Sequence, residues 1–253
     1  MKPSATGRIL IWRGGSIWIG LAGAPADLHA HHAVQIALPF ARGHVQFQVP
    51  DGEWANYDAA IVAAGQPHAF DARGQRMATI FVDPESRDGR RLQARYRADG
   101  VSALDAQMLR NEITSLADAY ERRDSDAILI ELAQAAIARV SGPAATAKAS
   151  ADRRVAIALD LIRTRLTESV SLNSLATAVN LSPDRLRHLF AAETGVGLRP
   201  YILWLRLETS LAAYVAGSTL TDAAYAGGFA DSAHFSRTFK RMFGISPASV
   251  RPE

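Results

Sequence analysis

The sequence predicts an α+β protein: an N-terminal β-barrel with flanking helices, then an all-α C-terminal domain containing two helix-turn-helix units. Three observations carry that expectation. Short apolar segments separated by glycine turns fill residues 8–82. The apolar period lengthens to three and four residues beyond position 85. A helical pattern at 172–195 returns at 220–244. At 253 residues the chain is long enough for two cores. The absence of cysteine excludes disulfides, thiol catalysis and cysteine-held zinc or iron–sulfur sites. No apolar run approaches the roughly 20 residues of a membrane helix, and MKPSATGRILIW lacks the apolar stretch of a signal peptide. A soluble, cytoplasmic chain with no membrane partner is expected.

In chain order, Arg8–Trp12 and Ser16–Leu21 flank the turn signal Arg13-Gly14-Gly15, and Ala33–Phe40 and His44–Val49 flank Arg42-Gly43. Asp51-Gly52 marks a further turn. Ala59–Ala64, His68–Asp71 and Met77–Val82 complete a set whose close spacing suits a barrel or sandwich. This barrel is placed at residues 1–84. Over 85–140, Leu104, Met108, Ile113, Leu116 and Tyr120, then Ile128, Leu132, Ala136 and Val140, recur at helical spacing. These helices pack on the barrel, and the apolar face they leave over is read as a homodimer interface.

Residues 141–151, SGPAATAKASA, have linker composition. They coincide with a charge step: residues 1–150 hold 16 basic and 16 acidic side chains, 151–253 hold 12 and 9, so the net +3 belongs to the second part. That excess points weakly to an anionic partner. The C-terminal domain, 152–253, reads as helices throughout: Arg153–Thr167; Leu172–Val179 capped by Ser171; a helix from Ser182, with Pro183 at its first position, to Ala192; Pro200–Ala216; Thr221–Ala226; and Asp231–Met242 after Gly227-Gly228.

Two stretches of this domain resemble each other. Ala176 precedes Leu186 by ten residues and Phe190 by fourteen; Ala224 precedes Phe235 by eleven and Phe239 by fifteen. Gly195 and Gly244 each follow the second aromatic by five. A small residue lets two helices cross closely, and the apolar positions after the turn fill the angle, as a helix-turn-helix requires. The helix between the units, about 17 residues or roughly 25 Å, would set the two second helices about 34 Å apart, one turn of B-DNA. The segments LNSLATAVNLSPDRLRHLFAAETGVGLRPYILWLRL and LTDAAYAGGFADSAHFSRTFKRMFGISPASVR resemble the DNA-binding domain of the AraC/XylS family of transcription regulators. Ala223 stands where that family usually has Ile, and Gly227 where a larger residue is common, which implies looser packing of the second short helix. The resemblance implies an effector-responsive activator with promoter DNA, RNA polymerase, a small-molecule effector and a second copy of itself as partners, and no enzyme activity.

Helix geometry turns Leu186, Leu189 and Phe190 inward and leaves Asp184, Arg185, Arg187 and His188 outward. In the second unit Phe235, Phe239 and Met242 face inward, while Ser232, Ala233, Ser236 and Arg237 face the groove. Arg187 and Arg237 are the guanine readers, with His188 as a single donor. Lys240 and Arg241 lie where phosphates pass. Asp184 serves the helix N-terminus.

In the N-terminal part, Gly23 to Gln35 resembles the first cupin motif, with Gln35 in place of Glu, and Ala63-Ala64-Gly65-Gln66-Pro67-His68 resembles the second. His29, His31 and His68, with Gln35, could surround one divalent metal. No cofactor is required, because barrels of this family often keep such histidines without metal. His29, His31, Gln35, His68, Trp18 and Trp54 are otherwise expected in an effector pocket, with Trp12, Phe40, Phe47 and Phe70 as further walls or core. The alternative function is a metal-binding cupin sensor or enzyme with a fused helical domain. A milder variant is a DNA-binding protein whose barrel senses nothing.

Overall fold

In a computed structural model, residues 5–40, 43–96, 100–143, 152–166 and 170–253 are described. They fall into two compact units, one of residues 1–147 with 239–253 and one of residues 148–238. Of the expected linker, 144–151 lie outside the described residues, as do Arg42 of the second turn signal and Thr167 at the end of its helix.

The first unit is sheet-rich. Its strands are β1 (Ala5–Trp12), β2 (Gly15–Ala22), β3 (Ala26–His29), β4 (Val34–Pro39), β5 (Val45–Gln48), β6 (Ala55–Tyr57), β7 (Ala60–Val62), β8 (His68–Asp71) and β9 (Arg76–Val82), followed by helix α1 (Arg87–Arg95), β10 (Val101–Ala103), α2 (Arg110–Glu121) and α3 (Asp126–Ser141). A last strand, β11 (Val250–Pro252), belongs to the same unit. Two sheets result, ordered β10-β7-β4-β9-β2-β1-β11 and β3-β8-β5-β6, forming a barrel-like pair. Gly15, expected in the first turn, opens β2 and pairs with Trp12 across the hairpin.

Period-two alternation sorts the larger sheet into two faces. On one, Ile17, Ile19, Val34, Ile36, Leu38, Ile61, Ile80 and Val82 form a core with Leu92 of α1, Leu116 of α2, and Leu129, Ile137 and Val140 of α3. Each such aliphatic side chain contributes about 1.5–3 kcal/mol by leaving water. On the other face, Ala37, Ala60, Val62 and Met77 cluster with Val45 and Phe47 of the smaller sheet. Gln35 shares the face of Ala37, so a polar side chain is carried into the interior and buried. The apolar stripes of α2 and α3 are thus spent largely on the sheet.

Four strands, β3, β6, β10 and β11, have no counterpart in the sequence reading. Three have only three residues and the fourth has a register break against β8. The segment expected to be helical throughout contains β10, which extends the sheet by pairing with β7.

The second unit contains α4 (Arg153–Thr164), α5 (Leu172–Ala178), α6 (Pro183–Thr194), α7 (Leu198–Val215), α8 (Leu220–Ala226) and the first residues of α9 (Ser232–Phe243). Tyr201 and Trp204 of α7 are buried, and Phe190 of α6 meets Tyr201 edge-on at 5.3 Å.

Candidate nucleic-acid interface

The two repeats have the same local construction. Both first helices, α5 and α8, have 7 residues, and both second helices, α6 and α9, have 12. Ser171 caps α5 through Ser174 in a capping box, and Thr219 caps α8 through Asp222. After each first helix the chain passes through the left-handed region at the second residue, Asn180 (φ 53°) and Gly228 (φ 74°). The next amide then bonds back to the small residue: Leu181 N to Ala176 O at 3.0 Å, and Phe229 N to Ala224 O at 2.9 Å. Ser182 Oγ caps α6 by accepting from Arg185 N at 3.2 Å, and Asp231 Oδ1 caps α9 by accepting from His234 N at 2.6 Å. Gly195 (φ 76°) and Gly244 (φ 71°) end the two second helices.

Gly227 does not loosen α8, contrary to the expectation drawn from its small size. A Cβ there would lie 2.1 Å from Ser210 Oγ and 2.3 Å from the Arg206 carbonyl oxygen. Glycine therefore lets α8 press directly on α7. Ala223 and Ala224 are fully buried in the same contact.

The expected reading residues are exposed on α6: Asp184, Arg185, Arg187 and His188, with Leu186 and Phe190 buried and Leu189 half-buried. Arg187 and Asp184 pair with each other one turn apart. On α9, Ala233, Arg237, Lys240 and Arg241 are exposed, and Ser232 and Ser236 half-exposed. Two assignments change. Met242 is half-buried, and Phe243 is the buried residue, its ring tilted against Trp18 at 4.8 Å. Lys240 is held by Asp27 at 3.2 Å. Sequence reasoning missed His234, exposed on the first turn of α9, and Thr238, buried between Arg237 and Phe239. Neither departs from a helical pattern enough to be noticed.

In the first unit, strand geometry brings His29, His31, Gln35 and His68 together. His29 pairs across to His68 between β3 and β8. One ring nitrogen from each histidine lies within 4.8 Å of the others. Nδ1 of His29 donates to Asp27 O at 2.7 Å, that of His31 to Ala33 O at 2.9 Å, and that of His68 to Gln66 O at 2.9 Å. Burial lowers all three pKa values, taking His31 down to about 4 and His68 well below its ordinary range, so the rings are neutral at pH 7. His32 instead pairs with buried Glu85 at 3.0 Å.

A cavity of about 90 Å³ adjoins the cluster; His29, Gln35, Trp18, Phe70, Phe81 and Phe243 are among its walls. The Trp18 indole N–H is buried without an acceptor among the described residues. Trp54, expected in the pocket, is 41% exposed and is not part of the wall; β6, which follows it, is an edge strand. Phe40 and Phe47 are core residues, and Trp12 is packed partly buried against the core. No helix among the described residues is long and apolar enough to cross a membrane.

Two short-helix, turn, second-helix units joined by one long helix define the double helix-turn-helix class of nucleic-acid-binding domains. Residues 175–253 match the family model described as a helix-turn-helix domain. The Msm operon regulatory protein of Streptococcus mutans is 31% identical over 96 residues, 37% of this chain and 34% of that protein. The HTH-type transcriptional regulator GlxA of Rhizobium meliloti is 30% identical over 122 residues, 45% of this chain and 38% of that protein. The chain thus spans well under half the length of these relatives. ToxT from Vibrio cholerae O395 shares the fold over 94% of this chain and 96% of its own, with TM-score 0.58 and 13% identity.

Proposed function

We propose that this chain is a sequence-specific, effector-responsive transcription regulator. The duplicated helix-turn-helix unit carries the reading: two equally built second helices, each with outward arginine, suit two successive major grooves on one face of promoter DNA. Residues 152–253 are the DNA-binding domain, and Asp184, Arg185, Arg187, His188, Ser232, Ala233, Ser236, Arg237, Lys240 and Arg241 its contact set. The names of the relatives, an operon regulatory protein and a transcriptional regulator, support the same role.

The first unit is the sensor. Structures of ToxT are named for a bound unsaturated fatty acid and for a bound methylnaphthalenyl butenoic acid. Here the cavity is smaller than an engineered one of about 150 Å³ that holds benzene, so its effector is small, or the cavity widens on binding. A polar acceptor on an apolar effector would satisfy the Trp18 indole. Homodimerisation, and activation by contact with RNA polymerase, complete the proposal.

Fluorescence anisotropy with DNA from upstream of its own coding region, against a shuffled duplex, tests it. Tighter binding to the former by at least about a thousandfold is expected; equal affinities would overturn the reading.

A further inference from the structure

The turn between α2 and α3 holds an arginine in an uncommon backbone state. Arg123 has φ 57°, the left-handed region where a helix end usually carries glycine. Two backbone bonds close the turn, Arg123 N to Tyr120 O at 3.0 Å and Asp124 N to Ala119 O at 2.9 Å. Arg8 of β1 clamps it from the sheet, donating to Asp124 O at 2.6 Å and pairing with Asp126. A side chain kept where the backbone favours glycine points to a task for that side chain.

Arg123 lines a crevice of about 310 Å³, whose other walls are Arg8, Arg76, Tyr120, Glu121 and Glu253. Only Arg8 is shared with the walls of the apolar cavity. The set comes from β1, β9, α2, the turn after α2 and the residue after β11, so the tertiary fold assembles it. Its charges are of both signs. Arg76 pairs with Glu121, and both are more than half exposed, so the pair contributes little and yields readily to another partner. Two groups have no charged partner among the described residues. One is the Arg123 guanidinium. The other is the Glu253 carboxylate, which accepts only from the neutral Tyr120 hydroxyl, at 3.1 Å.

We propose that this crevice binds a small zwitterion, an α-amino acid. Arg123 takes its carboxylate through the paired N–H groups of the guanidinium. Glu253 takes its ammonium group, and Arg76 and Glu121 supply a second charge of each sign. A dianion would meet two carboxylates here, and a dication three guanidinium groups. The volume falls at the lower end of small-molecule sites, about 300–1,000 Å³.

Calorimetric titration of the full-length chain without DNA tests the proposal, so the result is independent of the regulator reading. The probes are the standard L-amino acids, with glutarate and cadaverine as controls bearing two like charges. One-to-one binding of at least one amino acid at millimolar concentration or below is expected, with no heat from either control. Arg123→Gly should weaken binding by about tenfold or more. Glycine suits φ 57° better than arginine does, so this variant keeps its fold. Glu253→Gln should weaken binding by a similar factor of about ten. Binding of no amino acid, binding of glutarate or cadaverine instead, or an affinity that either substitution leaves unchanged would overturn the proposal.

Discussion

Gly227 shows how one absent side chain fixes the position of a helix. The Arg206 carbonyl occupies the space a Cβ would need, and neither backbone can yield without displacing α8 from α7. Gly227→Ala is expected to lower stability by about 1–3 kcal/mol through overpacking, read as a shift of the denaturant midpoint. The outward arginines act at the same scale. Arg187→Ala and Arg237→Ala should each relax preference at individual base pairs by about 1–3 kcal/mol, whereas Lys240→Ala should weaken all sequences alike and reduce the salt slope by about 1. Binding to single-base-pair variants of the target separates the two patterns. The buried histidines add a pH dependence. Their folded pKa values lie below the ordinary 6.5, at about 4 for His31. As pH falls through 6.5 the unfolded chain takes up protons that the folded chain refuses, so stability is present above that pH and drains away toward about 4. Melting temperatures should therefore drop between pH 7 and 5; a flat profile would contradict the burial.

At the scale of elements, the turns explain why the repeat was readable. Ser171, Ser182 with Pro183, Asn180-Leu181 and Gly227-Gly228 are local signals, each with a backbone reason, and the helices begin and end within a few residues of them. Ser182→Ala should cost about 1 kcal/mol, the usual loss for a side-chain cap, in a thermal melt. The long strands β1, β2, β4 and β9 were legible for a comparable reason, since alternation and glycine turns are written in neighbouring residues. The strands β6, β10 and β11 were not. A three-residue strand is decided by the edge it joins, and β10 exists because β7 offers it a partner across a long interval of sequence. The candidate site divides in the same way. Exposure on α6 and α9 followed from helical period, and the clustering of His29, His31 and His68 from motif spacing. The pairing of Arg187 with Asp184 follows the i, i+3 spacing on a helix, whereas that of Lys240 with Asp27 and of His32 with Glu85 depends on which distant elements meet, and no spacing rule supplies that.

At the scale of the whole molecule, the end of α9 belongs to the sheet-rich unit. Phe243 packs on Trp18, Asp27 N donates to Gly244 O at 3.1 Å, and Asp27 holds Lys240 at 3.2 Å. Because both partners of that ion pair are well exposed, it contributes little stability, and Asp27→Asn should leave the melting temperature nearly unchanged. If Lys240 meets phosphate, the same variant should bind DNA more tightly, with a steeper salt dependence. Affinity measured across a salt series checks both. The central claim is that one chain places two recognition helices in successive major grooves. Hydroxyl-radical footprinting on the bound promoter, repeated with about half a helical turn, roughly 5 base pairs, inserted between the contacts, tests it most directly. Two protected patches one turn apart on one face, with one of them lost on insertion, are expected. A single patch, or a footprint and affinity indifferent to the insertion, would contradict it.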